Sequence, residues 1–172
     1  MVEAADRRDW WKYALLTVPA IVILGSLSGY LSNSGNGNGW FETLELPDFM
    51  PPGWTFGLVW NLLYVLLGLA LALILAEPPS FRRRSGLIYF FIQLALNFAW
   101  SPIFFGAHDI WLGFATILLM ASLASSAALQ FWRIRALAGA LMLPYLAWLC
   151  FAAVLNAAIG KMNPGAGTSL LG

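Results

Sequence analysis

The sequence predicts an all-α integral membrane protein, a five-transmembrane-helix bundle forming a single domain over residues 1–172, and three observations predict it. The first is composition: apolar residues make up 60% of the chain and charged residues 10%, against roughly 45–50% and about 25% in soluble domains. Nine basic and eight acidic side chains cannot cover a water-soluble domain of this size, so lipid must solvate most of the surface. The second is a set of five apolar segments free of Asp, Glu, Lys, Arg and His, at about 13–31, 54–76, 86–105, 111–132 and 136–159. Each has about the 20 residues that cross ~30 Å of hydrocarbon at a rise of 1.5 Å per residue. The third is continuity. Runs without polar alternation are not barrel strands, and only a helix satisfies its own backbone within one such run.

The first segment, 13–31, follows a mixed-charge stretch of Glu3, Asp6, Arg7, Arg8, Asp9 and Lys12. Its apolar run exceeds that of a leader peptide, so the small-x-small pattern at Ser26-Leu27-Ser28 is not expected to be a cleavage site. Gly25 and Gly29 form a G-x-x-x-G face suited to close helix approach, within the bundle or across a dimer, with packing inside the bundle the expectation. Residues 32–53 are the one long connection. Their Asn33-Ser34-Gly35-Asn36-Gly37-Asn38-Gly39 half suggests a flexible tether. The half carrying Trp40, Phe41, Leu44, Leu46, Phe49 and Met50 is too apolar for water and should fold back as a lid over the outer end. The remaining connections, 77–85, 106–110 and 133–135, are short, which makes sequential helices antiparallel neighbours. His108 and Asp109 in the second of these are expected to be a solvated turn. Trp10, Trp11, Trp54, Trp111 and Trp132 fall at segment ends, where indoles anchor in the headgroup layer.

Orientation follows from basic residues. Arg7, Arg8, Lys12, Arg82, Arg83, Arg84, Arg133 and Arg135 fall on one side and only Lys161 on the other. The positive-inside rule then places the N-terminus inside and the C-terminus outside, in a multi-pass arrangement fitting a prokaryotic plasma membrane.

Several chemistries are excluded. A net charge of +1 leaves no basic patch for nucleic acid. One Cys (Cys150) and one His (His108) exclude a disulfide within the chain and a Cys/His zinc site, so no metal and no resident cofactor are expected. No span carries an ionisable group of the kind that marks proton or ion paths. No Ser/His/Asp set is available inside the bundle, so no catalytic acid, base or nucleophile is assigned.

What remains is amides, hydroxyls and aromatic rings at helical spacing. Gln93, Asn97 and Ser101 recur at i, i+4, i+8, with Trp100 beside them and Phe104 three residues on. Tyr145, Trp148, Ala152 and Asn156 share a face of the last span, and Trp60, Asn61 and Tyr64 cluster on the second. Polar amides in hydrocarbon turn inward, so these faces should meet. With the orientation above, Trp60, Asn97, Trp100, Ala152 and Asn156 lie roughly 5–12 Å below the outer surface, and Tyr64 and Trp148 at roughly 15–17 Å. Such residues describe either an amide-lined aromatic chamber beneath the long loop or interhelical hydrogen bonds worth ~0.6 kcal/mol each on average. The spacing alone leaves both open.

Three ordered motifs carry a resemblance. Pro47-Asp48-Phe49-Met50-Pro51-Pro52-Gly53-Trp54-Thr55-Phe56-Gly57-Leu58-Val59-Trp60 resembles the loop-to-second-span signature of the TspO/MBR family of tryptophan-rich sensory and translocator proteins. Leu96-Asn97-Phe98-Ala99-Trp100-Ser101-Pro102-Ile103-Phe104-Phe105-Gly106 is similar to its third-span motif, and Leu143-Pro144-Tyr145-Leu146-Ala147-Trp148 to its fifth. The resemblance runs over about residues 13–160 and implies a five-helix bundle, commonly a homodimer, that takes porphyrins such as protoporphyrin IX and haem as ligands beneath the first loop. It places Trp60, Asn97, Trp100, Trp148 and Ala152 in that pocket. With the residues from the spacing argument, the candidate ligand-binding set is Trp40, Trp60, Tyr64, Gln93, Asn97, Trp100, Ser101, Phe104, Tyr145, Trp148, Ala152 and Asn156.

The implied function is a membrane receptor or sensor for tetrapyrroles and related hydrophobic molecules. A porphyrin transporter is one alternative, although five spans without a repeat do not suit rocking halves. A light- and oxygen-dependent porphyrin-degrading enzyme is another, with Trp60 and Trp148 as its redox residues. Phe49 stands where the family has Trp, and Trp40-Phe41 where it has Trp-Tyr. Residues 154–161 contain no Tyr, so the cholesterol motif of the animal branch is not carried over.

Overall fold

The computed structural model describes residues 9–167; the expectations placed on Arg7, Arg8 and the C-terminus lie outside them. Among these residues six α-helices make five spans: α1 (Trp10–Leu31), α2 (Gly53–Leu75), α3 (Phe81–Ser101), α4 (Ile110–Ile134), α5 (Ala136–Ala140) and α6 (Leu143–Met162). A π-helical turn, Pro102–Gly106, extends α3, and α5 with α6 forms one span broken at Leu141 and Met142. The fold class is that of the sequence expectation. Helix ends differ from it because helices continue past the hydrocarbon edge, where charged residues are solvated. Thus α1 begins at Trp10 and not 13, and α3 at Phe81 and not 86. Ser80 starts α3 by accepting the Arg83 N–H at 3.1 Å, a cap the charge-free window could not contain.

Packing is cyclic: α1 lies on α2, α2 neighbours α5 and α6, α6 lies on α4, α4 on α3, and α3 returns to α1. Glycine sets the α1–α2 crossing. A Cβ on Gly68 would sit 2.6 Å from the Val18 Cα, and Thr17 Oγ1 donates to the Gly68 carbonyl at 2.8 Å. Gly25 of the G-x-x-x-G pair is pressed against Tyr64, so this motif packs inside the bundle.

Pro102 ties α1 to α3. It has no N–H for the carbonyl of Phe98 four residues earlier, and the Ser28 hydroxyl on α1 donates to that carbonyl instead. The turn then widens, with the Ala107 N–H reaching the Pro102 carbonyl at 2.8 Å. At the other end of the bundle Arg83 donates to the Ile74 and Leu75 carbonyls at 2.9 and 3.1 Å, closing the C-terminus of α2. Arg135 faces Glu77 at 3.6 Å on the same end.

Two apolar cores result. One, nearer the arginines, includes Leu67, Ile74, Phe90, Phe131, Ala138 and Met142. The other joins Phe41 and Leu44 of the long loop to Phe104, Phe105, Ile110, Leu155 and Ile159.

Two expectations are corrected. The Asn/Gly stretch is not a loose tether: Asn33 Nδ2 donates to the Gly37 carbonyl, Ser34 Oγ to that of Gly29, and buried Asn38 bridges the Phe41 N–H and the Phe105 carbonyl. Amide side chains here replace the backbone pairing that a helix would supply. Nor is Asp109 a solvated turn residue. It is 4% exposed and accepts the Leu112 N–H at 2.9 Å, capping α4. His108, at φ 58°, stacks on Trp40 at 4.5 Å.

Candidate functional site

Between the two cores lies a cavity of about 530 Å³, within the ~300–1,000 Å³ range of small-molecule sites. Its walls come from α1, α2, α3, α4, α6 and the first loop, and none of its lining residues is charged. Backbone contact between α2 and α6 is sparse beside that of the other neighbouring pairs, and aromatic rings bridge the gap. Trp60 meets Trp148 edge to face at 6.4 Å and 86°, Phe56 meets Trp148 at 5.7 Å, and Trp60 lies over Tyr64 at 5.4 Å. These contacting rings form one aromatic wall of the cavity.

A buried hydrogen-bond chain forms the floor. Tyr64 OH donates to Asn97 Oδ1 at 3.0 Å, Asn97 Nδ2 to Tyr145 OH at 3.1 Å, and Tyr145 OH to Gln93 Oε1 at 2.7 Å. The chain joins α2, α3 and α6 and ends on Gln93, whose Nε2 donor is buried without a protein partner. Two polar atoms nearer Gly113 are buried without a protein partner: the Trp100 Nε1 donor and the Asn156 Oδ1 acceptor. The other end of that Asn156 amide is fixed, Nδ2 donating to the Ile110 carbonyl at 2.8 Å.

Of the residues singled out from sequence, Trp60, Tyr64, Asn97, Trp100, Ser101, Phe104, Trp148, Ala152 and Asn156 line the cavity together. Gln93, Tyr145 and Trp40 do not. Gln93 and Tyr145 are fully buried at the far end of the floor network. The i, i+4 stripe simply continues below the cavity, where the same spacing serves packing. Trp40 lies outside, between His108 and Phe104, with its N–H on the Ala166 carbonyl at 2.8 Å.

The sequence reading missed the α1 wall: Gly25, Ser26, Gly29 and Tyr30, with Phe56 and Gly57 opposite. A usable signal existed. Gly25 and Gly29 on one helix and Gly53 and Gly57 on its neighbour all line the cavity, where positions without a side chain project nothing into it.

The first loop spans the cavity end of the bundle and is fastened to the segment after α6. Glu45 N–H donates to Asn163 Oδ1 and Asn163 Nδ2 to the Glu45 carbonyl, both at 2.8 Å. This reciprocal pair and the Trp40–Ala166 bond hold loop and segment as one layer.

Comparison with known proteins gives consistent similarities. The model of the TspO/MBR family matches residues 16–162. The translocator protein of Sus scrofa is 36% identical over 155 residues, covering 86% of this chain and 92% of that protein. The tryptophan-rich protein TspO of Archaeoglobus fulgidus is 38% identical over 125 residues, 72% of this chain and 80% of its own length. Protein CrtK of Rhodobacter capsulatus is 32% identical over 128 residues, 73% and 79% of the two chains.

Proposed function

Since this chain belongs to the TspO/MBR family of membrane proteins, we propose that it is a membrane receptor or sensor whose cavity binds flat, apolar tetrapyrroles such as protoporphyrin IX. The observation that carries the proposal is the uncharged cavity walled by Trp60, Trp148, Phe56 and Tyr64. Ring faces and edges of this kind favour a conjugated macrocycle through stacking and edge contacts. With no cation in the walls, carboxylates on the ligand stay at the rim, where Asn33, Ser34 and Asn36 offer neutral polar groups. The ligand's polar edge therefore points towards the first loop and its apolar body towards Tyr64.

Titrating protoporphyrin IX into the purified protein should quench tryptophan fluorescence saturably, with a stoichiometry of one per chain. Linear quenching that a tryptophan-free membrane protein reproduces would remove the proposal.

A second reading, light- and oxygen-dependent porphyrin breakdown, is favoured by one feature. Two oxidisable indoles stand in edge-to-face contact in the wall of the same cavity. Assembly as a homodimer is likewise proposed, and cross-linking in the membrane would test it.

Orientation is proposed from the basic end of the bundle, where Lys12, Arg82, Arg83, Arg84, Arg133 and Arg135 collect. In a Cys150→Ser background, Ser34→Cys should be labelled by an impermeant maleimide from outside and Pro78→Cys only from inside. Labelling of both from one face would show the topology to be wrong.

A further inference from the structure

A groove of about 790 Å³ runs along α3 at the arginine-rich end, away from the cavity, lined in part by Ser80, Phe81, Arg84, Ile88, Phe91 and Ile92. Three successive arginines begin this helix, and they are used differently. Arg83 turns back onto the end of α2. Arg82 and Arg84 are exposed, and no described residue gives either of them a carboxylate. Among the described residues, the acids of this end have basic partners, Asp9 with Lys12 and Glu77 with Arg135. No described carboxylate occupies these guanidinium groups, which leaves them open to an anion from outside the chain.

Arg84 and Arg82 differ in what lies beside them. From Arg84, positions 88, 91 and 92 follow on one face at i+4, i+7 and i+8. Ile88, Phe91 and Ile92 are about half exposed, and Phe81 at the head of the groove is 88% exposed. Two turns of helix carry this apolar strip roughly 12 Å into the hydrocarbon. The positive end of the α3 dipole lies at the same head and reinforces the field there. Arg82 is absent from the groove lining.

A soluble anion would match the guanidinium and leave the strip unused, and a neutral acyl chain would do the reverse. We propose that this groove is a binding site for an anionic phospholipid, with its phosphate on Arg84 and one acyl chain along Ile88, Phe91 and Ile92. The site stands independently of the ligand assigned to the cavity, since the two share no lining residue.

Native mass spectrometry of the full chain released from detergent tests this, using phosphatidylglycerol and phosphatidylcholine of identical chains. The wild type should retain phosphatidylglycerol preferentially. Arg84→Gln should reduce that preference about fivefold, the scale for one basic residue meeting an anionic lipid surface. Arg82→Gln removes the same charge beside the groove and should change it less than about twofold by comparison. Ile92→Trp, which fills the apolar strip at an exposed position, should lower retention with all the arginines intact. Melting temperatures in phosphatidylcholine alone establish that the variants fold. Equal losses for Arg84→Gln and Arg82→Gln would reduce the effect to general surface charge and overturn the site. Full retention by Ile92→Trp, or displacement of the lipid by millimolar glycerol phosphate, would overturn the acyl-chain half.

Discussion

Asn97→Ala is expected to lower stability by about 2–4 kcal/mol, through stranded hydroxyl groups and a small void together. Asn97 is 5% exposed and joins two tyrosines, accepting from Tyr64 and donating to Tyr145. Its removal leaves the buried Tyr64 hydroxyl without its acceptor and deprives Tyr145 of its donor. Tyr145 cannot rotate to seek water, because it is fully buried and already committed to Gln93. The average interhelical hydrogen bond in a bilayer contributes only ~0.6 kcal/mol, since the unfolded segments find other partners. A residue at the middle of a chain of such bonds disturbs several at once. Asn61→Ala is the matched comparison: its exposed amide bonds only to the Gly57 carbonyl of its own helix, and a change within about 0.5 kcal/mol is expected. Reversible unfolding in mixed micelles measures both. Equal effects for the two variants would mean that the network contributes nothing beyond helix packing.

The second large effect is expected at the contacting indoles. In the Trp60→Phe/Trp148→Phe double variant, light-driven loss of bound protoporphyrin should fall to the rate of the free pigment, while affinity weakens by roughly tenfold, the scale of one lost polar partner. Phenylalanine keeps a flat apolar ring against Tyr64 and Phe56. It lacks the indole N–H and the readily oxidised ring system. The rings sit 6.4 Å apart and share one cavity, so the single changes need not add. Melting temperature, affinity and photodegradation rate on the four proteins separate binding from chemistry. Wild-type rates in the double variant would leave a binding protein without redox function. Loss of stability in step with rate would make both indoles packing residues.

The spans were legible because charge-free apolar runs longer than about 18 residues have few other uses. Their ends were not, since a helix such as α3 starts among arginines that its sequence window excludes. Amides at i, i+4 located the cavity wall at Asn97 and Ser101 but gave no depth cut-off, and so included Gln93 in the floor below. The α1 wall was invisible for a different reason. Gly25 and Gly29 act by having no side chain, and periodicity analysis follows the side chains that are present. Asp109 could have been recognised as a cap from its place just before an apolar run, but a neighbouring His drew it into a turn. Burial of the cap, beside the segment at Gly167, is a long-range event that no local pattern records.

The reciprocal bonds between Asn163 and Glu45, with Trp40 on Ala166, have a practical corollary for anyone handling this protein. Truncation after Met162 would cut the fastening at its base and leave the first loop held by Asn38, by Trp40 on His108 and by Phe41 and Leu44 in the second core. An affinity tag or reporter fused directly at that point would put its own residues where Asn163 pairs with the Glu45 carbonyl and N–H. Reporter fusions are better carried beyond residue 167, separated by a spacer, so that the roof of the cavity is the native one when ligands are screened.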